Sequence, residues 1–298
     1  MKQIEYRTGE DDSGRRVDIV LAENFSEFSR AAWQQSLKTK PALVDDKKVT
    51  GSYKVKPDQI VKAILPIHKK REINLKAPKH LPEILYKDSD VIVINKPAGL
   101  ITHPTENNPG EASVAGAFAG SVEDIDAMRP GIVHRLDRDT SGVMIIARNL
   151  AAKEFLQEQF RQRNVTKHYI VLVRGQLKRP AARIELPLQK SHQQPNTMAV
   201  RATGRPAITE YHLTAQYPGA SLLDVTIHTG RTHQIRAHFA HLGHPVVGDK
   251  VYGKVIRSSG LMRQFLHASS LTILLPSGKR QTFSAKLPQD LSSYLEQL

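Results

Sequence analysis

Nine residues, His134-Arg135-Leu136-Asp137-Arg138-Asp139-Thr140-Ser141-Gly142, carry four charges and run without a break into the apolar stretch Val143 to Ala147. A short apolar run beside turn-forming residues reads as a strand buried in a sheet, and Thr-Ser-Gly is turn chemistry. The chain must therefore bury a strand while holding two carboxylates and two guanidiniums at its mouth. That is a common way to fix reactive groups against a rigid scaffold. A free aspartate is an anion at neutral pH and a potential nucleophile, which draws attention to Asp137. A polar surface turn with its Asp and Arg side chains paired explains the same residues, since exposed ion pairs are common and worth only ~0–1 kcal/mol.

The flanking sequence divides into parts. Val17, Val20, Leu21 and Phe25 fall at helical spacing, and Ser29 stands where it would cap a second helix bearing Trp33 and Leu37. Val44 and Val49, then Tyr53 and Val55, then Ile60 to Leu65 read as short strands. Residues 67–82 read as a linker, with His68, Lys69, Lys70 and Arg71 between Pro66 and Pro82. Asp90 to Ile94 reads as a buried strand stopped by Asn95-Lys96-Pro97-Ala98-Gly99. A helix over Ala151 to Arg163 and a strand over Lys167 to Val173 follow. Residues 178–205 read as loop or hairpin excursions. Ile208 to Tyr217 and Ser221 to His228 alternate as two strands around Pro218-Gly219. Ile235, Phe239 and Leu242 recur at helical spacing after Gly230, with Thr232 a fair cap. The segments around Leu266, Leu271 to Pro276 and Phe283 to Pro288 complete a sheet.

Charge narrows the partner. The chain has 298 residues, with 43 Lys and Arg against 29 Asp and Glu, giving a net charge of +14. That length suits one large or two ordinary domains, and the basic excess is the footprint of a polyanion-binding protein. Nucleic acid fits this better than a membrane, since no lone basic amphipathic helix stands out. The absence of cysteine excludes disulfides, thiolate metal sites and a cysteine nucleophile. Met1 to Glu5 carry no apolar signal core, which leads us to expect a cytoplasmic protein.

The motif His134-Arg135-Leu136-Asp137, two further residues, then Thr140-Ser141-Gly142 resembles the signature of the RluA-type family of RNA pseudouridine synthases. Asn95-Lys96-Pro97-Ala98-Gly99-Leu100 with His103-Pro104 resembles its first motif. Gly230-Arg231-Thr232-His233-Gln234-Ile235-Arg236, continued by Gly243-His244-Pro245 and Gly248-Asp249, resembles its third. The likeness runs over residues 85–290 with the motifs in the family's order. It implies isomerisation of uridine to pseudouridine in structured RNA, ribosomal RNA foremost and transfer RNA second, by a monomer that needs no cofactor or metal. The implied fold is α+β, a mixed and mainly antiparallel sheet flanked by helices and loops (83–298), behind the linker at 67–82. The resemblance makes Asp137, Tyr169 and Arg236 catalytic candidates: the aspartate attacks the uridine, the tyrosine lies against the base and the arginine pairs with the aspartate. It makes Arg135, Ile235, Arg231 and His134 substrate-binding candidates. Residues 1–66 are similar to the S4 RNA-binding module, a small α+β domain, with Lys40-Pro41 and Asp45-Asp46-Lys47 replacing the usual glycine and Val-Asn-Gly turn.

Other readings fit less well. His233, His238, His241 and His244 invite a metal, but only His238 and His241 share a helical face. Gly248 to Val255 resembles a phosphate-binding loop yet ends in Val where a hydroxyl is needed. Asp139-Thr140-Ser141-Gly142 lacks the second such turn of an aspartic protease, and Ser141 is in no Gly-x-Ser-x-Gly elbow. An RNA-binding ribosome-assembly factor without turnover is the alternative that the charge also supports.

Overall fold

The computed structural model describes residues 3–25, 28, 30–66, 75–105, 108, 110–123, 129–191, 194, 197–253 and 261–298. The expected cap Ser29 and the basic run His68 to Arg71 lie outside the described residues, as do Lys254 and Val255. Two compact units divide the chain, Met1–Glu72 and Ile73–Leu298.

The first unit holds β1 (Gln3–Arg7), α1 (Val17–Asn24), α2 (Arg30–Thr39), β2 (Ala42–Val44), β3 (Lys47–Val49) and β4 (Ile60–Ile64). Its antiparallel sheet has the order β1-β4-β2-β3. Val17, Val20 and Leu21 of α1 and Trp33 and Leu37 of α2 close one core with Val44, Val61 and Ala63. Both anticipated helices form, but Tyr53 and Val55 make no strand, only a bridge at Lys54 to Arg16. Strand β1 was not anticipated: Gln3–Arg7 alternates, but it spans only five residues and its inward face is only half-buried. The two-residue turn between β2 and β3 needs positive φ at both positions. Asp45 and Asp46 supply it, at +49° and +61°. Asp45 fastens the turn by accepting hydrogen bonds from the Ile60 N–H (2.9 Å) and from Gln59 Nε2 (2.8 Å). An Asp-Asp pair thus does here what Asn-Gly does in an ordinary hairpin.

The second unit is built on a nine-stranded sheet. Its elements in chain order are β5 (Glu83–Lys87), β6 (Val91–Lys96), α3 (Val114–Phe118), β7 (Ser141–Ala147), α4 (Leu150–Arg161), β8 (Thr166–Arg174), β9 (Ala181–Glu185), β10 (Leu188–Lys190), β11 (Met198–Val200), β12 (Ile208–Tyr217), β13 (Ala220–Ile227), α5 (Gln234–His241), β14 (Leu266–Leu274), β15 (Arg280–Ser284) and α6 (Gln289–Glu296). The strand order is β5-β6-β7-β14-β8-β13-β12-β9, with β15 on β14, while β10 and β11 form a separate ribbon. The β7–β14 contact is parallel; the others are antiparallel. The mixed, mainly antiparallel sheet implied by the sequence is present.

Both faces of the central strands are covered. On β6 and β7, Ile92, Ile94, Met144 and Ile146 point into one core; Val91, Val93, Val143, Ile145 and Ala147 point into the other. This is why the run at 143–147 is apolar at every position rather than at alternate ones. Residues 178–205, expected as excursions, contribute β9 to the sheet as well as the ribbon. In the stretch read as a linker, Leu75 packs on the larger core and the Lys76 carbonyl accepts the Ser113 N–H at 3.1 Å.

One glycine fixes where the charged loop meets the sheet. Gly142 has φ +119°, and a Cβ there would stand 2.1 Å from the carbonyl oxygen of Ala268. Only glycine lets β7 pair with β14 immediately after the loop.

Candidate active site

The loop 134–140 is cross-braced by backbone and side chains. The Thr140 N–H closes on the Asp137 carbonyl at 3.1 Å, and the Gly99 N–H on that of Arg138 at 2.9 Å. Thr102 Oγ1 donates to the Leu136 carbonyl at 2.9 Å. Lys96, wholly buried, gives its ammonium to the carbonyls of Pro97 (2.9 Å), Leu100 (2.7 Å) and Arg138 (3.0 Å). Burial pushes this ammonium down to about 7, while Asp137 and Asp139 oppose the shift. Lys96 thereby ties the first motif to the backbone next to Asp137.

Asp137 lies at the mouth of β7, and Arg236 reaches it from the first turn of α5. Arg236 Nη1 donates to Asp137 Oδ2 at 2.9 Å. The remaining face of the guanidinium is held by Asp249, with Nε to Oδ2 at 2.7 Å and Nη2 to Oδ1 at 3.0 Å. Asp249 has a fully buried carboxylate and also accepts the N–H groups of Val251 (2.8 Å) and Tyr252 (3.1 Å). Burial alone would raise its pKa, but Arg236 and those amides hold it below the usual carboxylate range. The Arg236 guanidinium carbon stands 5.2 Å from the centre of the Tyr252 ring. One guanidinium thus bridges two carboxylates, and its two-point grip on Asp249 fixes how it presents to Asp137.

No side chain caps α5. The helix begins at Gln234 behind His233, which adopts φ +53° and ψ +23°. Thr232 is not the cap. Instead Gln234 turns its side chain back: its Oε1 accepts Thr229 Oγ1 at 2.7 Å and the Arg231 N–H at 3.0 Å. The left-handed His233 places Nδ1 at 3.1 Å from the Tyr252 hydroxyl and Nε2 at 4.0 Å from Asp137. Burial lowers its pKa, with Asp137 opposing.

Asp137, Arg135, Tyr169, Arg231, Ile235 and Arg236 all line one cavity, with Ile227 and Leu266 among its apolar walls. Tyr169 is almost fully buried. Burial, with the Asp137 charge adding to it, pushes its phenol well above the ordinary tyrosine value, so the hydroxyl keeps its proton. Arg135 is exposed and lines the clefts on both sides of this cavity as well. His134 is the one predicted site residue missing from the cavity wall. Its Nε2 accepts the Ile145 N–H at 3.0 Å, its ring stacks on Phe160 at 4.7 Å, and burial pushes its pKa down to about 3. It is a neutral imidazole that splices the loop to β7 and faces the neighbouring cleft.

Three of the four histidines considered for a metal are bonded to separate partners. His238 bonds to Thr209 and the Leu186 carbonyl, His244 to the Arg174 carbonyl, and His233 to Tyr252. Among the described residues no group of three or more His, Cys, Asp or Glu side chains is arranged to hold a metal ion. Nor does any helix among them have the length and apolarity to cross a membrane.

Sequence reasoning missed Asp249 and Tyr252 as site residues. A signal was present, because a buried guanidinium facing one carboxylate implies a second, and Val246-Val247-Gly248-Asp249 offers an acid inside an apolar run.

A loop aspartate, a clamped arginine and a buried tyrosine around one cavity, on a nine-stranded mixed sheet, agree with what comparison with known proteins finds. Residues 90–241 match the family described as RNA pseudouridylate synthase. The chain belongs to that family. It is 37% identical to a Xanthomonas campestris protein named ribosomal large subunit pseudouridine synthase D, over 96% of this chain and 89% of that one. It is 34% identical to YlyB of Bacillus subtilis, named an uncharacterized RNA pseudouridine synthase, over 100% and 99%. In structure it resembles human RNA pseudouridylate synthase domain containing 1, with a TM-score of 0.60, 25% identity, and 74% and 90% coverage. The chain is an RNA pseudouridine synthase.

Proposed function

We propose that this enzyme converts uridine to pseudouridine in ribosomal RNA of the large subunit, with Asp137 as the group that attacks a flipped-out uridine. The RNA class is carried by the similarity to relatives named for the large ribosomal subunit. The role of Asp137 is carried by one observation: it is the carboxylate that opens into the cavity while its counter-ion, Arg236, is locked from behind by Asp249.

The reaction breaks the N1–C1′ bond, turns the base and joins C5 to C1′; N1 gains a proton and C5 loses one. Nothing is oxidised and no group donor is consumed. The target must leave the stack, at a cost of a few kcal/mol. Tyr169 and Ile235 would grip the extruded base, Tyr169 by stacking worth ~1–3 kcal/mol. Arg236 would orient the Asp137 carboxylate, while exposed Arg135 fills the vacated space or holds backbone, with Arg231 beside it. His134 acts behind the loop. The first unit serves as an S4-like RNA-binding module, consistent with its two helices packed on a small sheet. We read the enzyme as acting as a monomer, in the cytoplasm where ribosomal RNA lies.

Release of tritium from C5-labelled RNA tests this. Wild type should release tritium from ribosomal RNA, and Asp137→Asn should abolish release while RNA affinity stays within about threefold. Release from transfer RNA alone would overturn the ribosomal assignment. Full turnover by Asp137→Asn would overturn the role of Asp137, and binding without release by wild type would favour the assembly-factor alternative.

A further inference from the structure

Beside the cavity that holds Asp137 lies a second cleft of about 520 Å³, sharing Arg135, Tyr169 and Arg231 with it. The cations Arg135, Arg161, Arg163, Lys167 and Arg231 line this cleft, and no carboxylate does. A third cleft, which shares Arg135, Asp137 and Arg236 with that cavity, differs, since Asp137 and Asp139 stand in its wall. A polyanion emerging from the active site into the first of these clefts therefore meets cations with no carboxylate in the wall among the described residues.

Three features make this more than scattered surface charge. Lys167 and Tyr169 sit two residues apart on β8, so they project from the same face about 6.8 Å apart along the strand. The chain thus seats a cation one step from the residue against the flipped base. Arg161 is neutralised by Glu158, but among the described residues neither Lys167 nor Arg163 pairs with a carboxylate. Their proximity is unfavourable in the free protein: burial pushes the Lys167 ammonium down to about 8, and Arg163 adds to the shift. Phe160, with the Lys167 ammonium 6.0 Å from its ring centre and backed by His134, forms a flat wall between them.

Building on the pseudouridine synthase reading, we propose that this cleft binds the RNA backbone next to the flipped uridine, with Lys167, Arg163 and Arg231 taking its phosphates. The positive cluster then holds the strand on one side of the target while the carboxylate chemistry proceeds on the other. An arriving phosphate relieves the like-charge crowding at Lys167. The site acts on RNA affinity and positioning, and the reacting atoms remain with Asp137.

The test is the salt dependence of binding, measured with a labelled RNA stem-loop and the full chain. Each phosphate contact on single-stranded RNA contributes ~0.7 to the log–log slope. Lys167→Gln and Arg163→Gln should each reduce the slope by about that amount and raise KM, with kcat at saturating RNA within about threefold of wild type. Lys167→Arg should restore the slope, which a purely structural role of the lysine would not require. Arg163 is exposed, so its replacement reads out contact rather than folding. Lys279→Gln, in the β14–β15 turn at the end of β14 away from Leu266, should leave the slope unchanged. Wild-type slope and KM in both glutamine variants would overturn the proposal. The slope decides this even if wild type releases no tritium, an outcome that overturns the catalytic reading instead.

Discussion

Replacing Asp249 with asparagine tests the idea that the Asp137 carboxylate is governed from behind. The wild-type carboxylate is fully buried, takes two hydrogen bonds from Arg236 at 2.7 and 3.0 Å, and takes two backbone N–H groups. Asparagine keeps the shape and can still accept from the amides, but its NH2 group confronts an Arg236 N–H, donor against donor. The guanidinium then retains only Asp137, at 2.9 Å, as an ionic partner. Breaking a buried pair from one side costs ~3–5 kcal/mol. At about 2–4 °C per kcal/mol for a unit of this size, Tm should fall by roughly 6–20 °C. Activity should fall separately: a guanidinium adrift by ~1 Å misplaces the carboxylate it orients, at a cost of about 100-fold in kcat. The pH dependence has a fixed sign. Because the folded-state pKa of Asp249 is depressed, its contribution is full above the unfolded value of ~3.9 and is lost as pH falls through the folded value. The gap between wild type and variant should therefore be constant near neutrality and close in acid. Thermal unfolding across pH and single-turnover tritium release measure both effects. A variant melting within about 2 °C of wild type and reacting at an undiminished rate would refute the reasoning.

Three further outcomes follow from the geometry. The folded-state pKa of His134 is about 3 against ~6.5 unfolded, so stability is full above ~6.5 and drops by about 1.4 kcal/mol per pH unit below it; in urea titrations between pH 4 and 6, His134→Gln should flatten that slope by one proton's worth while still accepting the Ile145 N–H. Gly142→Ala puts a Cβ against the backbone oxygen of Ala268 at φ +119° and should cost about 3 kcal/mol or more, read as a shifted urea midpoint with unchanged m-value. Tyr169→Ala should weaken binding of a uridine-containing RNA by about 10- to 100-fold through lost stacking, whereas Tyr169→Phe should bind within about threefold of wild type.

What could be read from sequence alone depended on how local the cause was. The buried strand at 143–147 was legible because both its faces are covered and every position is apolar. Strands β1 and β9 were not, since each is only five residues long and largely exposed, with an inward face that is at most partly buried apart from Ile184. Helix α3 hides in a Ser-Ala-rich stretch whose only overt signal is Ser113, which accepts the Gly116 N–H. At the site, Asp137 and Arg236 were found through their motifs. His134 shares the motif but faces inward, because the Ile145 N–H needs an acceptor and Phe160 offers a face, and neither partner is adjacent in sequence. Thr232 looked like a cap because Ser and Thr usually are; no side chain caps α5, and Gln234 instead ties the preceding turn to the sheet, through contacts to Thr229, Thr209 and the backbone of Arg231 and Ile208. Long-range partners of this kind are set by topology rather than by neighbouring residues.

The arrangement also resolves a conflict built into the chemistry. Asp137 and Asp249 share Arg236, so the trio carries a net negative formal charge, which repels the RNA it must approach. The conflict is eased by distance and direction. Asp249 is enclosed, so its field is felt mainly by Arg236, and Lys96 places a buried ammonium on the carbonyls next to Asp137. Of the cations that would attract phosphate, Lys167 and Arg163 stand in the adjoining cleft on the Tyr169 side, outside the wall of the cavity that holds Asp137. A cation placed at Asp137 itself would compete with Arg236 and turn the carboxylate away from the base. Moving the phosphate-binding charge one strand step away lets the same surface attract an anionic polymer and expose an anionic reacting group.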